Sequence, residues 1–144
     1  MTDLSIQQVY DYLGRVRSLE QTIWRLCLQH DELQSCLLPA AIRYDKDKVQ
    51  TSPEDKLSSV AASVLDLEKR IRMLKAQKAA LIIEISSTID QLTDERERVI
   101  LSAFYVGRIS IEKIANEIGY SPSYVYRLRR HGVRHLGEIL GKRG

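Results

Sequence analysis

Apolar residues return in alternating steps of three and four along two long stretches of the chain. The first series runs Val9, Tyr12, Val16, Leu19, Ile23, Leu26, His30, Leu33 and Leu37. The second runs Val60, Val64, Leu67, Ile71, Leu74, Lys78, Leu81, Ile85, Thr88 and Leu92. A strand would alternate at every second residue, and neither stretch does. Each spacing therefore predicts a helix with one apolar seam, the coiled-coil pattern. At about 1.5 Å per residue the helices would be about 50 and about 60 Å long. Between them, Leu38 to Thr51 holds Pro39 and the charged string Arg43 to Lys48, which reads as a connecting loop spanning about residues 38–52. The second helix has a legible start, with Ser52 as N-cap, Pro53 at the first helical position, and Glu54 and Asp55 in the first turn. Proline loses no helical hydrogen bond there, and the acids oppose the positive end of the helix dipole.

Helices so long and one-sided need something to cover the seam. The two either fold back on each other as an antiparallel hairpin or pair with a second chain. Leu65, Ile82, Ile83 and Ile89 lie off the second seam and widen its apolar face beyond a two-stranded contact. That favours a hairpin that also dimerises or packs on the C-terminal part. Lys78 and Thr88 sit at seam positions, where polar groups weaken a dry contact and set register. His30 is a polar break in the first seam. Residues 1–92 are thus expected to form a long helical hairpin, a coiled coil used for oligomerisation.

After Leu92 the heptads stop. Thr93 or Asp94 is placed to cap a helix opening Glu95-Arg96-Glu97, with Asp94 and Glu97 spaced as a capping box. Val99, Ile100, Ala103 and Phe104 form its inner side, and it ends near Gly107. Ser110 caps a short helix over 111–118 with Ile111, Ile114, Ala115 and Ile118 on one face. Gly119 closes that helix, since glycine tolerates the left-handed conformation of a helix stop. Ser121 then caps a third helix with Pro122 at its first position and Val125 and Leu128 inward. Two helices across a glycine turn, with small Ala115 midway along the first, spell a helix-turn-helix over residues 93–144. The third helix turns Ser123, Tyr124, Tyr126, Arg127 and Arg130 outward, and its serine-capped amide end suits a phosphate. Arginine reads guanine O6 and N7 as a bidentate pair, worth roughly 1–3 kcal/mol of discrimination.

Charge sharpens this. The 144 residues carry 22 Lys and Arg against 19 Asp and Glu, a formal +3. From Ser121 onward there are six basic residues and one acid, Glu138, a balance of +5 that leaves residues 1–120 at −2. A basic end on a near-neutral body attracts phosphates, although a solvated basic tail has the same composition. No apolar run approaches the roughly 18 residues that span a bilayer. The opening Met1-Thr2-Asp3-Leu4 lacks the basic-then-apolar design of a secretion signal. Cys27 and Cys36 are nine apart, unsuited to a redox pair or half a zinc site. A membrane protein, a disulfide scaffold and a zinc finger are set aside, and a reduced cytoplasmic protein is expected.

The stretch Leu92 to Leu101, then Phe104-Tyr105 and Gly107, then Glu112, Ile114, Ala115 and Ile118 to Ser121, then Val125, Arg127 and Leu128, resembles region 4 of sigma-70-type sigma factors. That region is a helix-turn-helix that reads the −35 promoter element and touches RNA polymerase. With its long helical N-terminal part and Lys48 to Ser52 before the second helix, the whole chain resembles the RinA/ArpU-type transcriptional regulators of phages and prophages of Gram-positive bacteria, a group linked to late-gene control. The resemblance places Pro122, Ser123 and Arg127 at base-reading positions, and Tyr124, Tyr126 and Arg130 at further groove or backbone contacts. Pro122 has no polar group with which to read a base, and Ser123 replaces a usual acid, so a standard −35 preference does not carry over. Gly132 stands where the family more often has a helix former, and at about 1 kcal/mol relative to alanine it is expected to shorten or bend the third helix. Nothing resembles the −10-reading part of a sigma factor.

The expectation is an all-α DNA-binding regulator of transcription. Ser121, Pro122, Ser123, Tyr124, Tyr126, Arg127, Arg129, Arg130 and Arg134 form its candidate interface. Ser123, Tyr124 and Arg127 would address bases, and Arg129, Arg130, Arg134 and the basic tail would hold phosphates. Double-stranded DNA and a second copy of the chain are the expected partners, with RNA polymerase as a further one. No cofactor or metal is implied. His131 and His135 are four apart but lack the glutamate of a zinc-protease motif, and read as DNA-facing or simply exposed. Trp24, Tyr10 and Tyr12 read as packing residues; the Tyr124/Tyr126 pair differs because it starts the expected recognition helix, with a core place for one ring as the alternative. No catalytic grouping is visible, so no enzyme is expected. Two other readings remain open: an adaptor gripping RNA polymerase, and a small terminase-like subunit that recognises DNA for packaging.

Overall fold

The computed structural model describes residues 5–42 and 53–143, with the side chains of 38–42 and 53–54 left aside. The described residues are all-helical: α1 (Ile6–Leu13), α2 (Arg15–Ile42), α3 (Pro53–Ile89), α4 (Glu95–Leu101), which runs into a π-turn over Ser102–Val106, α5 (Ile111–Ile118) and α6 (Pro122–Arg143). No helix among them is long and apolar enough to cross a membrane.

The first series is expected as one helix but is interrupted at Gly14, where ψ is −2° and the backbone N–H closes onto the Tyr10 carbonyl. Gly14 keeps a right-handed conformation, with φ −78°, so the chain turns on into α2, whose Ser18 N–H bonds the Gly14 carbonyl at 3.1 Å. Ahead of it, Ser5 and Gln8 cap each other's backbone N–H groups in a full capping box. The helix also runs further than expected, with α2 continuing past Pro39 to Ile42 and so taking in the first residues of the anticipated loop. Proline's φ is already helical, so the helix passes through Pro39 at the cost of the one ladder bond its missing N–H would have made. The rest of that loop and the expected Ser52 cap lie outside the described residues.

Two compact units emerge: residues 1–19 with 78–144, and residues 20–77. In the first, one core gathers Val9, Leu13 and Val16 with Ile85, Ile89 and Leu92, and with Leu101, Tyr105, Val133 and Leu136. A second joins Ile100 to Ile111, Ile114, Ala115, Val125 and Leu128. The polar seam residue Thr88 is fully buried here, and its hydroxyl is saturated. It donates to the Glu84 carbonyl at 3.1 Å and so accepts from the Tyr12 hydroxyl and from Arg143 Nη1, each at 3.0 Å. A buried hydroxyl is tolerated when its bonds are made in this way. In the second unit, Ile23 and Leu26 pack with Leu67 and Ile71, flanked by Cys27, Leu33 and Leu74. His30 bridges α2 to α3 through Nε2 and Glu68 at 2.8 Å.

The shortening expected at Gly132 does not occur, for α6 runs on through it as a helix of 22 residues. A Cβ on Gly132 would meet Leu101 Cδ1 at 3.2 Å and Glu97 Cβ at 3.3 Å, and one on Gly137 would meet Val9 Cγ2 at 3.1 Å. Both glycines let neighbouring helices approach closely, a packing use that outweighs their weak helix propensity.

Candidate nucleic-acid interface

Three caps fix this end of the first unit. The Asp94 carboxylate accepts from the Arg96 backbone N–H at 2.9 Å, the Ser110 hydroxyl from that of Lys113 at 3.3 Å, and the Ser121 hydroxyl from that of Tyr124 at 3.2 Å. Gly119 adopts φ +77°, the left-handed stop its position requires, and its N–H returns to the Ala115 carbonyl. Ala115 is buried among Ile111, Ile114, Val125 and Leu128, so α5 and α6 close around a small side chain.

The capping box expected at Asp94 is only half made. The Glu97 side chain, 4% exposed, is spent instead on His135, whose Nδ1 stands 2.9 Å from one carboxylate oxygen and 3.1 Å from the other. That contact ties α4 to α6 and commits His135 to structure. Among the described residues no group of three or more His, Cys, Asp or Glu is placed to hold a metal.

Along α6, Ser123, Arg127, Arg130 and Arg134 follow in steps of four, three and four, which sets them in one line on a helix. All four are exposed, while Val125, Leu128, Gly132, Val133 and Leu136 are buried on the other side. None of the three arginines makes an ion pair with a carboxylate of the described residues. The Arg127 guanidinium rests 5.4 Å from the centre of the Tyr124 ring. Ser121 and Pro122 are exposed at the start of the same helix.

The remaining expected residues are placed differently. Tyr124 is half-buried against the α4–α5–α6 core and meets the Tyr120 ring edge-on at 5.0 Å. Its hydroxyl accepts from Arg96 Nη1 at 2.6 Å, and Arg96 Nη2 pairs with Asp94 at 3.0 Å. The Arg96 hydrogen bond holds the Asp94 carboxyl below the usual carboxylate range. Arg129 is not in the arginine line. Its guanidinium lies 4.8 Å from the Phe104 ring and 5.4 Å from that of Tyr126, with Nε buried, which makes it a stacking residue. Tyr126, at the edge of the exposed face, is partly covered by that contact. The expected phosphate-binding tail is also engaged at Arg143, through Thr88.

Sequence reasoning missed Arg96 and Glu97 as the residues that hold the start and middle of α6. Only the Asp94–Glu97 spacing hinted at either, and it pointed to the wrong partner. The described residues are all-helical, and they carry three arginines in line on one capped helix with no carboxylate of the described residues paired to them. A family described as "Protein of unknown function (DUF1492)" matches residues 40–137, and the chain belongs to it. Neither the comparison with curated proteins nor that with solved structures found a match.

Proposed function

We propose that the chain is a sequence-specific DNA-binding regulator of transcription. In this reading α5, the Gly119 turn and α6 are a helix-turn-helix, with α6 as the helix that enters the major groove. The observation that carries it is the exposed line Ser123, Arg127, Arg130 and Arg134, free of carboxylates, on a helix whose opposite side is fully buried. Guanidiniums so placed are desolvated by nucleotides rather than by protein. Ser123 and Arg127, nearest the helix start, would meet base edges, while Arg130 and Arg134 hold the backbone. The resemblance of residues 92–128 to sigma-70 region 4 supports the same assignment, and that of the whole chain to the RinA/ArpU-type regulators points to a phage or prophage promoter. Arg129 and Tyr124 leave the list of nucleotide contacts and become supports.

The long helices supply pairing. In the first unit Tyr12 meets Thr88 and Arg15 meets Glu84, an opposite order that supports antiparallel packing. In the second, His30 on Glu68 combined with Ile23 and Leu26 beside Ile71 has the same sense. A parallel arrangement would set Ile23 and Leu26 beside Ala61 and Val64 instead.

Selection of bound duplexes from a random pool tests the reading. One enriched motif is expected. Arg127→Ala should blunt the preference at one base position, by roughly 1–3 kcal/mol, and Arg134→Ala should weaken all duplexes alike. Capture of RNA polymerase with no enriched duplex would overturn the reading in favour of an adaptor. A ring of many subunits would favour a packaging role.

A further inference from the structure

In the first unit two guanidiniums share the Phe104 ring. Arg17 Cζ lies 5.2 Å from the ring centre and Arg129 Cζ 4.8 Å. Arg17 Nη2 also stands 3.5 Å from the Phe104 carbonyl, at the π-turn whose own bonds run from the Gly107 N–H to Ser102 and from the Ile109 N–H to Ala103. Neither arginine makes an ion pair with a carboxylate of the described residues. The buried Tyr105 beside them shows the same balance. Burial pushes its phenol up, Arg129 and Arg17 draw it down, Tyr10 adds to the rise, and no carboxylate acts on it. The two cations differ in reach. Arg129 is half-buried, with Nε covered and the Tyr126 ring on it as well, whereas Arg17 is exposed.

Position around α6 decides what Arg17 meets. At about 100° per residue, Gly132 lies opposite the line of Ser123, Arg127, Arg130 and Arg134, and α4 packs there through Leu101 and Glu97. Tyr126, Val133 and Gly137 lie roughly a quarter turn to one side of that line. α1 occupies this side, with Val9 against Gly137 and with Val133 in one core with Val9, Leu13 and Val16. α1 and the first turn of α2 therefore stand beside α6 rather than behind it. Arg17, in that first turn, carries the flank as far as Arg129. A helix with its side chains is about 10–12 Å across and the major groove is about 12 Å wide. A helix seated there fills it, so an element at its side meets one of the two bordering phosphate strands.

We infer that Arg17 is a phosphate-binding residue of the DNA interface, carried by the N-terminal helices and directed at the strand that borders α6. Its guanidinium is seated on the Phe104 ring beside a second cation, and the pair has no counter-charge from the protein. A backbone phosphate supplies that charge, and the planar fork of arginine matches its oxygens. Phe104 and Arg129 act as the seat, and Arg17 makes the contact. Such a contact fixes the placement of the protein on the duplex and reads no base. The inference rests on α6 being the helix that enters the groove. It goes beyond that reading by bringing the long helices, assigned above to pairing, onto the DNA backbone.

Salt titrations of the full chain against two duplexes, the one enriched by selection and one of random sequence, test this. Arg17→Gln keeps a side chain over Phe104 without its charge and, at an exposed position, should leave helix content by circular dichroism unchanged. It should flatten the log–log salt slope by about 0.9 per chain on both duplexes, which is about fivefold in affinity at about 0.15 M salt, and leave the enriched motif as it is in wild type. Arg17→Lys should restore the slope. Arg15, two residues away, is turned to Glu84 at 3.9 Å, and Arg15→Gln, which removes the same charge, should keep the wild-type slope. An unchanged slope in Arg17→Gln overturns the inference, as does a lysine variant no steeper than the glutamine one or an equal loss in Arg15→Gln. In each of those cases a motif that is still enriched leaves the DNA reading standing. A wild-type chain that binds neither duplex sinks both.

Discussion

Single residues in α6 divide into those that face outward and those that hold the helix in place, and substitution separates the two. Arg129→Ala removes stacking on Phe104 and Tyr126, so it should lower stability by about 1 kcal/mol while leaving the salt dependence of DNA binding unchanged. Thermal melting and a salt titration check both halves. Glycine behaves differently at two places in the same helix. A methyl at Gly132 presses on fully buried Leu101 and on the base of Glu97, so Gly132→Ala should cost about 1 kcal/mol net despite the gain in helix propensity. Nothing lies within 4 Å of a Cβ at Gly141, and Gly141→Ala should stabilise by up to about 1 kcal/mol. The order of melting temperatures, 132 below wild type and 141 above, is the expected outcome.

At the scale of elements, the heptad spacing anticipated burial well, and every described seam residue from Val9 to Leu37 and from Val60 to Leu92 is buried or half-buried. Periodicity reports which side of a helix is covered, and the caps at Ser110, Gly119 and Ser121 depend only on local chain chemistry, so both were legible. The pairs Glu97–His135, Arg96–Tyr124 and Arg143–Thr88 join residues 28 to 55 apart, and no local pattern encodes them. That is why Arg129 and Arg143 read as phosphate binders in the sequence and prove to be engaged with protein. The His30 contact between α2 and α3 adds a pH dependence. Hydrogen bonds to Glu68 and then Asp31 raise the His30 pKa above its ordinary 6.5. The stabilisation is fully present below that ordinary value and is lost as pH rises through the raised one. The urea midpoint should therefore fall as pH climbs from about 6 through the raised value, and His30→Gln should flatten the profile.

For the whole molecule, a net +3 hides a basic end on a slightly acidic remainder. If Arg130 and Arg134 were the only cations neutralising phosphates, each chain would show a log–log salt slope of about −1.8, falling to about −0.9 in Arg134→Ala. A dimer doubles both figures, so the slope and the mass must be read together. Arg143 has a longer reach than its place near the end of α6 suggests. It clamps the far end of the very rod whose opposite end carries the arginine line, and Gly137 seats the middle of that rod against Val9. Trimming Lys142 and Arg143 would strip away two cations and leave the buried Thr88 hydroxyl one donor short, so the root of the rod would work loose while its tip stays moored to α4 and α5.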